Sequence, residues 1–358
     1  MDNKFRFDFI TTQNIISKIG SIDSFKGRWT SIQREENLYL KELRALATIQ
    51  SIGSSTRIEG ATLSNEEIAT LIENLKINKL ETRDEQEAIG YYEVLEVVLE
   101  EYENIELTER NINSLHSLLL RFSNKDVSHR GKYKQLSNKV VATYPGGEQR
   151  VIFNTTEPFL VQKEMERLLL WYQKSVSEGV IHPLLCVAGF VYEFLSIHPF
   201  QDGNGRLSRL LTTLLLLQNK YDFVQYVSFE NEIERDKKKY YRALMEAQQH
   251  RGTSEEIISD WVLYFLSSIQ VLIKKLEDKY QRYQVIGPYL NDRQKRIVEF
   301  IQQNEPVKLK DITAQINEVT VHTVKKDLKY LYDERAIDKA GKGKATIYFS
   351  LPKKSVEE

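Results

Sequence analysis

The sequence has almost no cysteine, almost no net charge and no long apolar run. A single cysteine, Cys186, in 358 residues excludes an internal disulfide and any cysteine-based zinc site, and it suits a reducing compartment. Lys and Arg total 50 against 51 Asp and Glu, a net charge of -1, so no global attraction to nucleic acid or anionic membrane is expected. The most apolar stretch, Leu210 to Leu217, is too short to span a bilayer. The opening residues, Met1-Asp-Asn-Lys-Phe-Arg6, lack a basic start followed by an apolar run, so no signal peptide is expected. Internal repeats and low-complexity tracts are absent too. Hydrophobic residues make up 41% and charged residues 28%, the balance of a soluble globular protein. The expectation is a cytoplasmic, mainly α chain with no membrane partner.

Apolar residues recur at helical spacing along most of the chain. Trp29 to Ile49 reads as one amphipathic helix, and Ser64-Asn-Glu-Glu67 is a capping box opening a helix through Leu75. Further helices are expected at 84–103, 108–120, 157–174, 183–197, 207–218 and 234–249, with a long charged one from about 257 to 280. Strands are expected at 139–143 and 150–153, a hairpin around Tyr144-Pro-Gly-Gly-Glu148, and at 346–350. The domain joint falls at Val285-Ile-Gly-Pro288.

Chemistry concentrates in His198-Pro-Phe-Gln-Asp-Gly-Asn-Gly-Arg-Leu-Ser-Arg209. A helix stops at Pro199 and another starts just after Gly205 with a nearly pure leucine face. Glycines at such a start let backbone N–H groups converge on an anion. Arg206 and Arg209, three apart, can share one helical face toward it. Asp202 supplies the single carboxylate that suits Mg²⁺ beside substrate phosphates. His198 is the nearby group able to change charge around neutral pH, hence the candidate general base. Base, metal and phosphates in twelve residues point to phosphoryl or nucleotidyl transfer. A dinucleotide-binding fold does not fit, because the glycines follow a helix rather than a strand.

This run resembles the signature H-x-F-x-(D/E)-G-N-G-R-x-x-R of Fic-domain protein adenylyltransferases at every fixed position. The resemblance covers roughly Leu107 to His250, with the 139–153 hairpin in the place of the family's target-docking flap. It implies transfer of AMP from ATP to a Ser, Thr or Tyr hydroxyl of a protein. His198 would then take the hydroxyl proton and Asp202 would hold Mg²⁺. Gly203, Asn204, Gly205 and Arg206 would cradle the α- and β-phosphates and Arg209 would meet the γ-phosphate, with Leu207 and Ser208 also among the ATP-binding residues. Glu234 to Leu244 is similar to the family helix flanking adenine, which makes Tyr240 and Tyr241 candidates for the base pocket. Upstream, Ser55-Thr-Arg-Ile-Glu-Gly60 resembles the family's inhibitory pattern (S/T)-x-x-x-E-(G/N). Ser55, Glu59 and Gly60 would form an inhibitory helix, its Glu paired bidentately with Arg209 where the γ-phosphate belongs. The other histidines, His116 among them, receive no chemistry, and Cys186 reads as a small core residue.

Beyond the joint, Leu309–Ile316 and Thr320–Leu331 read as a helix-turn-helix, and Ala336–Phe349 as a two-stranded wing. The segment 291–354 carries 14 Lys and Arg against 9 Asp and Glu. Lys325, Lys326 and Lys329 on its second helix, and Lys342 and Lys344 on the wing, stand where DNA phosphates would lie. The expected fold is thus a Fic-type helical core with a small β-hairpin flap and a C-terminal winged helix. Its expected parts are an N-terminal helical region carrying the inhibitory helix (1–105), the catalytic core (106–252), a linker helix (253–287) and the winged helix (288–358). Three readings stand side by side. The first is an autoinhibited, ATP- and Mg²⁺-dependent adenylyltransferase acting on a protein, itself included. The others are a DNA-binding regulator with a nucleotide-sensing core, and an enzyme removing AMP from modified protein. DNA or protein as partner of the winged helix, and a homodimer, remain open.

Overall fold

Polar side chains that satisfy free backbone N–H groups set where the helices begin. A computed structural model of the chain describes residues 9–33, 38–75, 79–143, 149–286, 290–334, 336–341, 343 and 346–350. In chain order the helices are α1 (Phe9–Gln33), α2 (Leu38–Ile58), α3 (Asn65–Glu73), α4 (Arg83–Glu101) and α5 (Glu109–Leu119). After the hairpin β1 (Lys139–Thr143) and β2 (Gln149–Asn154) come α6 (Pro158–Glu178), α7 (Pro183–Ile197) and α8 (Asn204–Gln218). They are followed by α9 (Phe229–Arg235), α10 (Lys237–Gln248) and α11 (Ser259–Ile286). Ser64 starts α3 as its capping box predicts: its hydroxyl accepts from Glu67 N–H, and the Glu67 carboxylate accepts from Ser64 N–H at 2.8 Å. Thr82 and Glu85 do the same for α4, and Thr108 caps α5.

The chain divides into two compact units, one of Met1–Ser31 with Arg44–Lys275, the other of Ile32–Leu43 with Leu276–Glu358. The first is built around α7 and α8, both buried on nearly every face. Helix α7 is apolar nearly all round, as such burial asks, while α8 buries Asn204, Arg206, Ser208 and Arg209 ahead of most of its leucines. Helix α6 packs on α7, while α4 and α5 pack on α8. Trp261 of α11 donates its indole N–H to Ala188 O of α7 at 2.8 Å. The hairpin strands run antiparallel with Lys139 opposite Asn154. Its tip, 144–148, lies outside the described residues.

Three expectations change. Trp29 and Leu38 belong to separate helices, α1 and α2; the periodicity reading ran them together across the charged run 34–37, which lies outside the described residues. The helix expected at 234–249 breaks at Asp236, whose carboxylate caps α10 by accepting from Lys239 N–H at 3.1 Å. Helix α8 begins three residues before Leu207, at Asn204, which brings the signature's polar residues into its first turn.

The second unit has its own core of Ile297, Ile301, Ile312, Val324, Leu328 and neighbouring apolar residues. Its order is α12 (Asp292–Asn304), β3 (Val307–Lys308), α13 (Leu309–Gln315), α14 (Val321–Asp333), β4 (Ile337–Ala340) and β5 (Ile347–Ser350). The sheet has three strands rather than two, in the order β3-β5-β4 and antiparallel throughout. Lys325, Lys326 and Lys329 are exposed on α14. Lys342 and Lys344 lie outside the described residues.

Candidate active site

The turn between α7 and α8 is shaped by one side chain. Asn204 accepts from Phe200 N–H at 2.9 Å and donates to Phe200 O at 2.7 Å, closing the loop as a backbone pair would. Gly203 takes φ 82°, a left-handed conformation that glycine adopts freely. His198 sits at φ 54°, an uncommon conformation for a side-chain-bearing residue that functional sites often hold. Asn204 is buried, so its amide is engaged in the loop and what it can offer a ligand is its backbone N–H. Asn204→Ala leaves a buried Phe200 N–H without its acceptor. A stability loss of about 1–3 kcal/mol is expected, measured by urea denaturation against wild type.

His198 Nδ1 lies 3.3 Å from Leu195 O, which assigns the ring proton to Nδ1 and leaves Nε2 with a free lone pair. Burial, and after it the Lys134 ammonium, lowers the His198 pKa to about 4, so the ring is neutral at pH 7. Asp202 Oδ1 accepts from Gly203 N–H at 2.6 Å and from Arg206 Nη2 at 3.1 Å, and its Oδ2 accepts from Lys125 at 2.9 Å. Burial works against this carboxylate, yet Arg206 and Lys125 hold its pKa well below the usual carboxylate range.

The N–H groups of Asn204, Gly205 and Arg206 open α8, where no carbonyl one turn earlier can meet them. The first intrahelical bond runs from Leu207 N–H to Gly203 O at 2.9 Å. Arg206 is buried between two carboxylates, with Nη1 3.1 Å from Glu87 Oε2 and Nη2 3.1 Å from Asp202 Oδ1. Its Nε and Nη1 nevertheless make no hydrogen bond among the described residues. Nε is thus a buried donor without an acceptor, while Nη1 keeps its ion pair with Glu87. An unfilled buried donor calls for a further acceptor, such as a water or an anion. Leu207 and Ser208 are not part of the cavity lining; Ser208 Oγ donates to Gly205 O at 2.8 Å within the helix.

Arg209 is divided between Ser55 of α2 and Glu59, the residue just after that helix. Its Nη2 donates to Glu59 Oε1 at 2.8 Å and to Ser55 O at 3.0 Å, and its Nε donates to Ser55 Oγ at 2.8 Å. The Glu59 contact is therefore made through one oxygen and is not bidentate, because Ser55 occupies Nε. Burial opposes ionisation of Glu59, but Arg209 overcomes it and lowers the Glu59 pKa. A Cβ on Gly205 would stand 2.4 Å from Glu59 Oε1, so only glycine lets this carboxylate rest on the start of α8. Gly60 ends the segment at φ 105°. Arg57 anchors α2 with Nε 2.7 Å and Nη2 3.0 Å from the two Glu234 oxygens.

These groups meet in a cavity of about 220 Å³ lined by Glu59, His198, Asp202, Gly203–Arg206, Arg209, Tyr240, Tyr241 and Leu244. That is below the roughly 300–1,000 Å³ of ligand pockets, and Glu59 fills part of it. Tyr240 is buried against Trp261 and Tyr264, with ring centroids 5.7 and 5.8 Å away. Sequence reasoning missed His116. Its Nδ1 accepts from Gly131 N–H at 2.8 Å, so its Nε2 donates to Asp202 O at 2.9 Å. The ring also stacks on Phe200 at 3.7 Å. It also missed Lys134, Lys125 and Glu87, since none stands in a local pattern that announces it.

A neutral imidazole, a carboxylate, a helix start with free N–H groups and two buried arginines are brought together in one helical domain, an arrangement whose chemistry suits a phosphorylated ligand. Residues 106–216 match the family model described as Fic/DOC family, and the chain carries a Fic domain. The curated relatives it resembles include protein adenylyltransferase Fic of Drosophila melanogaster, 26% identical over 206 residues, 57% of this chain and 39% of that protein. The Drosophila yakuba protein of the same name is 28% identical over the same shares. The chain thus spans about two fifths of the length of these relatives. Its fold is shared with a Fic family protein from Desulfovibrio desulfuricans, at a TM-score of 0.65 and 22% identity over 98% of both chains. It is shared also with a Fic domain containing signaling protein from Bacteroides thetaiotaomicron, at a TM-score of 0.57 and 24% identity over 72% of this chain and 97% of that one. Among the described residues no helix is long and apolar enough to cross a membrane.

Proposed function

We propose that the chain transfers AMP from ATP to a hydroxyl side chain of a protein and is held in check by Glu59. What carries the reading is that His198, the first turn of α8 and Arg209 all line one cavity. His198 Nε2 takes the proton as the hydroxyl oxygen attacks the α-phosphorus; the bond to the bridging oxygen breaks and pyrophosphate leaves. N–H groups of Asn204, Gly205 and Arg206, with the Arg206 side chain, bind the α- and β-phosphates. Arg209 meets the γ-phosphate once Glu59 withdraws, and Tyr240 and Tyr241 flank the adenine. Ser55 keeps Arg209 in place, and Gly60 lets α2 end beside it.

No group of three or more His, Cys, Asp or Glu side chains suited to a metal occurs among the described residues. One carboxylate with phosphate oxygens and waters fits Mg²⁺, so Asp202 would hold it after Lys125 leaves Oδ2. A Mg²⁺ ion held there would supply neutralisation of charge on the phosphate oxygens. Intact mass spectrometry of Glu59→Gly after incubation with Mg²⁺-ATP tests the reading. A mass gain of one AMP is expected, and a gain of one phosphate would contradict it.

The single-oxygen contact of Glu59 favours a second direction at the same site. Its Oε2 makes no hydrogen bond among the described residues, and it could orient a water to remove AMP from a modified protein. Wild type added to adenylylated protein separates the two, since only removal would lower the bound label. The three exposed lysines of α14 favour a winged-helix reading of the second unit, with DNA phosphates as partner. Binding to duplex DNA that weakens with added salt would support it.

A further inference from the structure

Lys134 is a buried lysine whose hydrogen-bond partners carry no charge. Its Nζ donates to Thr155 Oγ1 at 2.7 Å, Asn138 Oδ1 at 2.8 Å and Ile197 O at 3.3 Å. Asn138 directly precedes β1 and Thr155 directly follows β2, so the ammonium ties both stems of the hairpin to the carbonyl before His198. The backbone adds to this, with Lys134 N–H donating to Pro199 O at 2.8 Å. Asn138 Nδ2 donates to Phe200 O at 3.0 Å. Carbonyls 197, 199 and 200, on either side of His198, are therefore held by Lys134 and Asn138. Among the described residues the imidazole itself makes one hydrogen bond, to Leu195 O at 3.3 Å, so the loop backbone has a large part in setting where the ring stands.

A neutral donor would meet the same three acceptors without the cost of burying a charge. We propose that Lys134 is a positioning residue that fixes His198 from the hairpin stems, and that its buried charge opposes a second charge on the imidazole. The charged groups acting on His198 are Lys134, which disfavours its protonation, and Glu59 and Asp202, which favour it. Glu157, Glu164 and Arg251 act in turn on Lys134, whose pKa burial lowers to about 8. Below that value the ammonium is charged and opposes a second charge on His198; removing it should let the ring protonate at higher pH. The inference rests on the AMP-transfer reading for its consequence in rate, but not for the charge effect.

The test is the His198 titration by histidine-labelled NMR, assigned by difference from His198→Ala, in wild type, Lys134→Met and Lys134→Arg. Lys134→Met should raise the midpoint from about 4 by about one pH unit, while Lys134→Arg, which keeps the charge, should stay near wild type. In a Glu59→Gly background, Lys134→Met should cut the AMP-transfer rate by about 10–10²-fold. It should leave ATP affinity unchanged and move the acid limb of the pH profile upward with the midpoint. An unmoved midpoint in folded Lys134→Met overturns the charge role. Thr155→Val, a milder change that removes one acceptor, should lower kcat with the midpoint unmoved. Unchanged kcat in Thr155→Val overturns the positioning role even where Lys134→Met does not fold. A midpoint that moves in a protein with no AMP transfer leaves the charge role standing and counts against AMP transfer instead.

Discussion

His198→Ala should reduce AMP transfer by about 10²–10⁴-fold, the usual worth of a general base, while ATP binds almost as before. The two effects separate because different atoms carry them. Proton removal needs the Nε2 lone pair, freed by the Nδ1 contact to Leu195 O. Phosphate binding needs the α8 N–H groups and Arg206, whose partners are Asp202 and Glu87. The loop survives the substitution, since Asn204, Lys134 and Asn138 hold its backbone without using the imidazole. Initial rates of label incorporation and equilibrium ATP binding on the same preparation check this. Lost ATP affinity with preserved turnover would remove His198 from the role of base.

Glu59→Gly should raise AMP transfer on the order of 10²-fold, the scale on which misplacement by about an ångström slows a reaction. Glu59 Oε1 rests on Gly205 and on Arg209 Nη2, where phosphate oxygens would otherwise lie. Removing the carboxylate clears that space without dislodging the arginine, because Ser55 still holds Nε and Nη2. Adding Arg209→Ala to Glu59→Gly should abolish most of the gain. Glu59→Asp should fall between, its carboxylate one methylene short of the guanidinium. Equal initial rates for wild type and Glu59→Gly, both shown to bind ATP, would leave Ser55 to Gly60 as an ordinary helix end.

The signature was legible because its residues act as neighbours: His198, Asp202, Asn204, Arg206 and Arg209 shape and line one turn between two helices. The helix start at Ser64 was legible for the same reason, its capping box being a contact over three residues, whereas the matching caps at Thr82 and Thr108 were not read from the sequence. What stayed hidden acts across the chain. His116 meets Asp202 from 86 residues away and Lys134 meets Ile197 from 63, and nothing beside either one in sequence marks it. The division of Arg209 between Glu59 and Ser55 was half visible. The four-residue spacing of Ser55 and Glu59 brings both to the same side of the end of α2, but which guanidinium nitrogen each takes is a matter of packing. Helix α1 before Trp29 escaped because its exposed apolar residues, such as Ile10 and Ile16, blur the helical periodicity.

The central claim is that the α-phosphoryl group, with its adenosine, is what moves. Glu59→Gly incubated with Mg²⁺-ATP labelled at the α-phosphorus, in parallel with ATP labelled at the γ-phosphorus, tests it most directly. Protein-bound label from the α-labelled nucleotide, with the γ-label released as pyrophosphate and no incorporation by Glu59→Gly carrying His198→Ala, is the predicted result. Label entering protein from the γ-position, or α-label incorporated equally with and without His198, would contradict it.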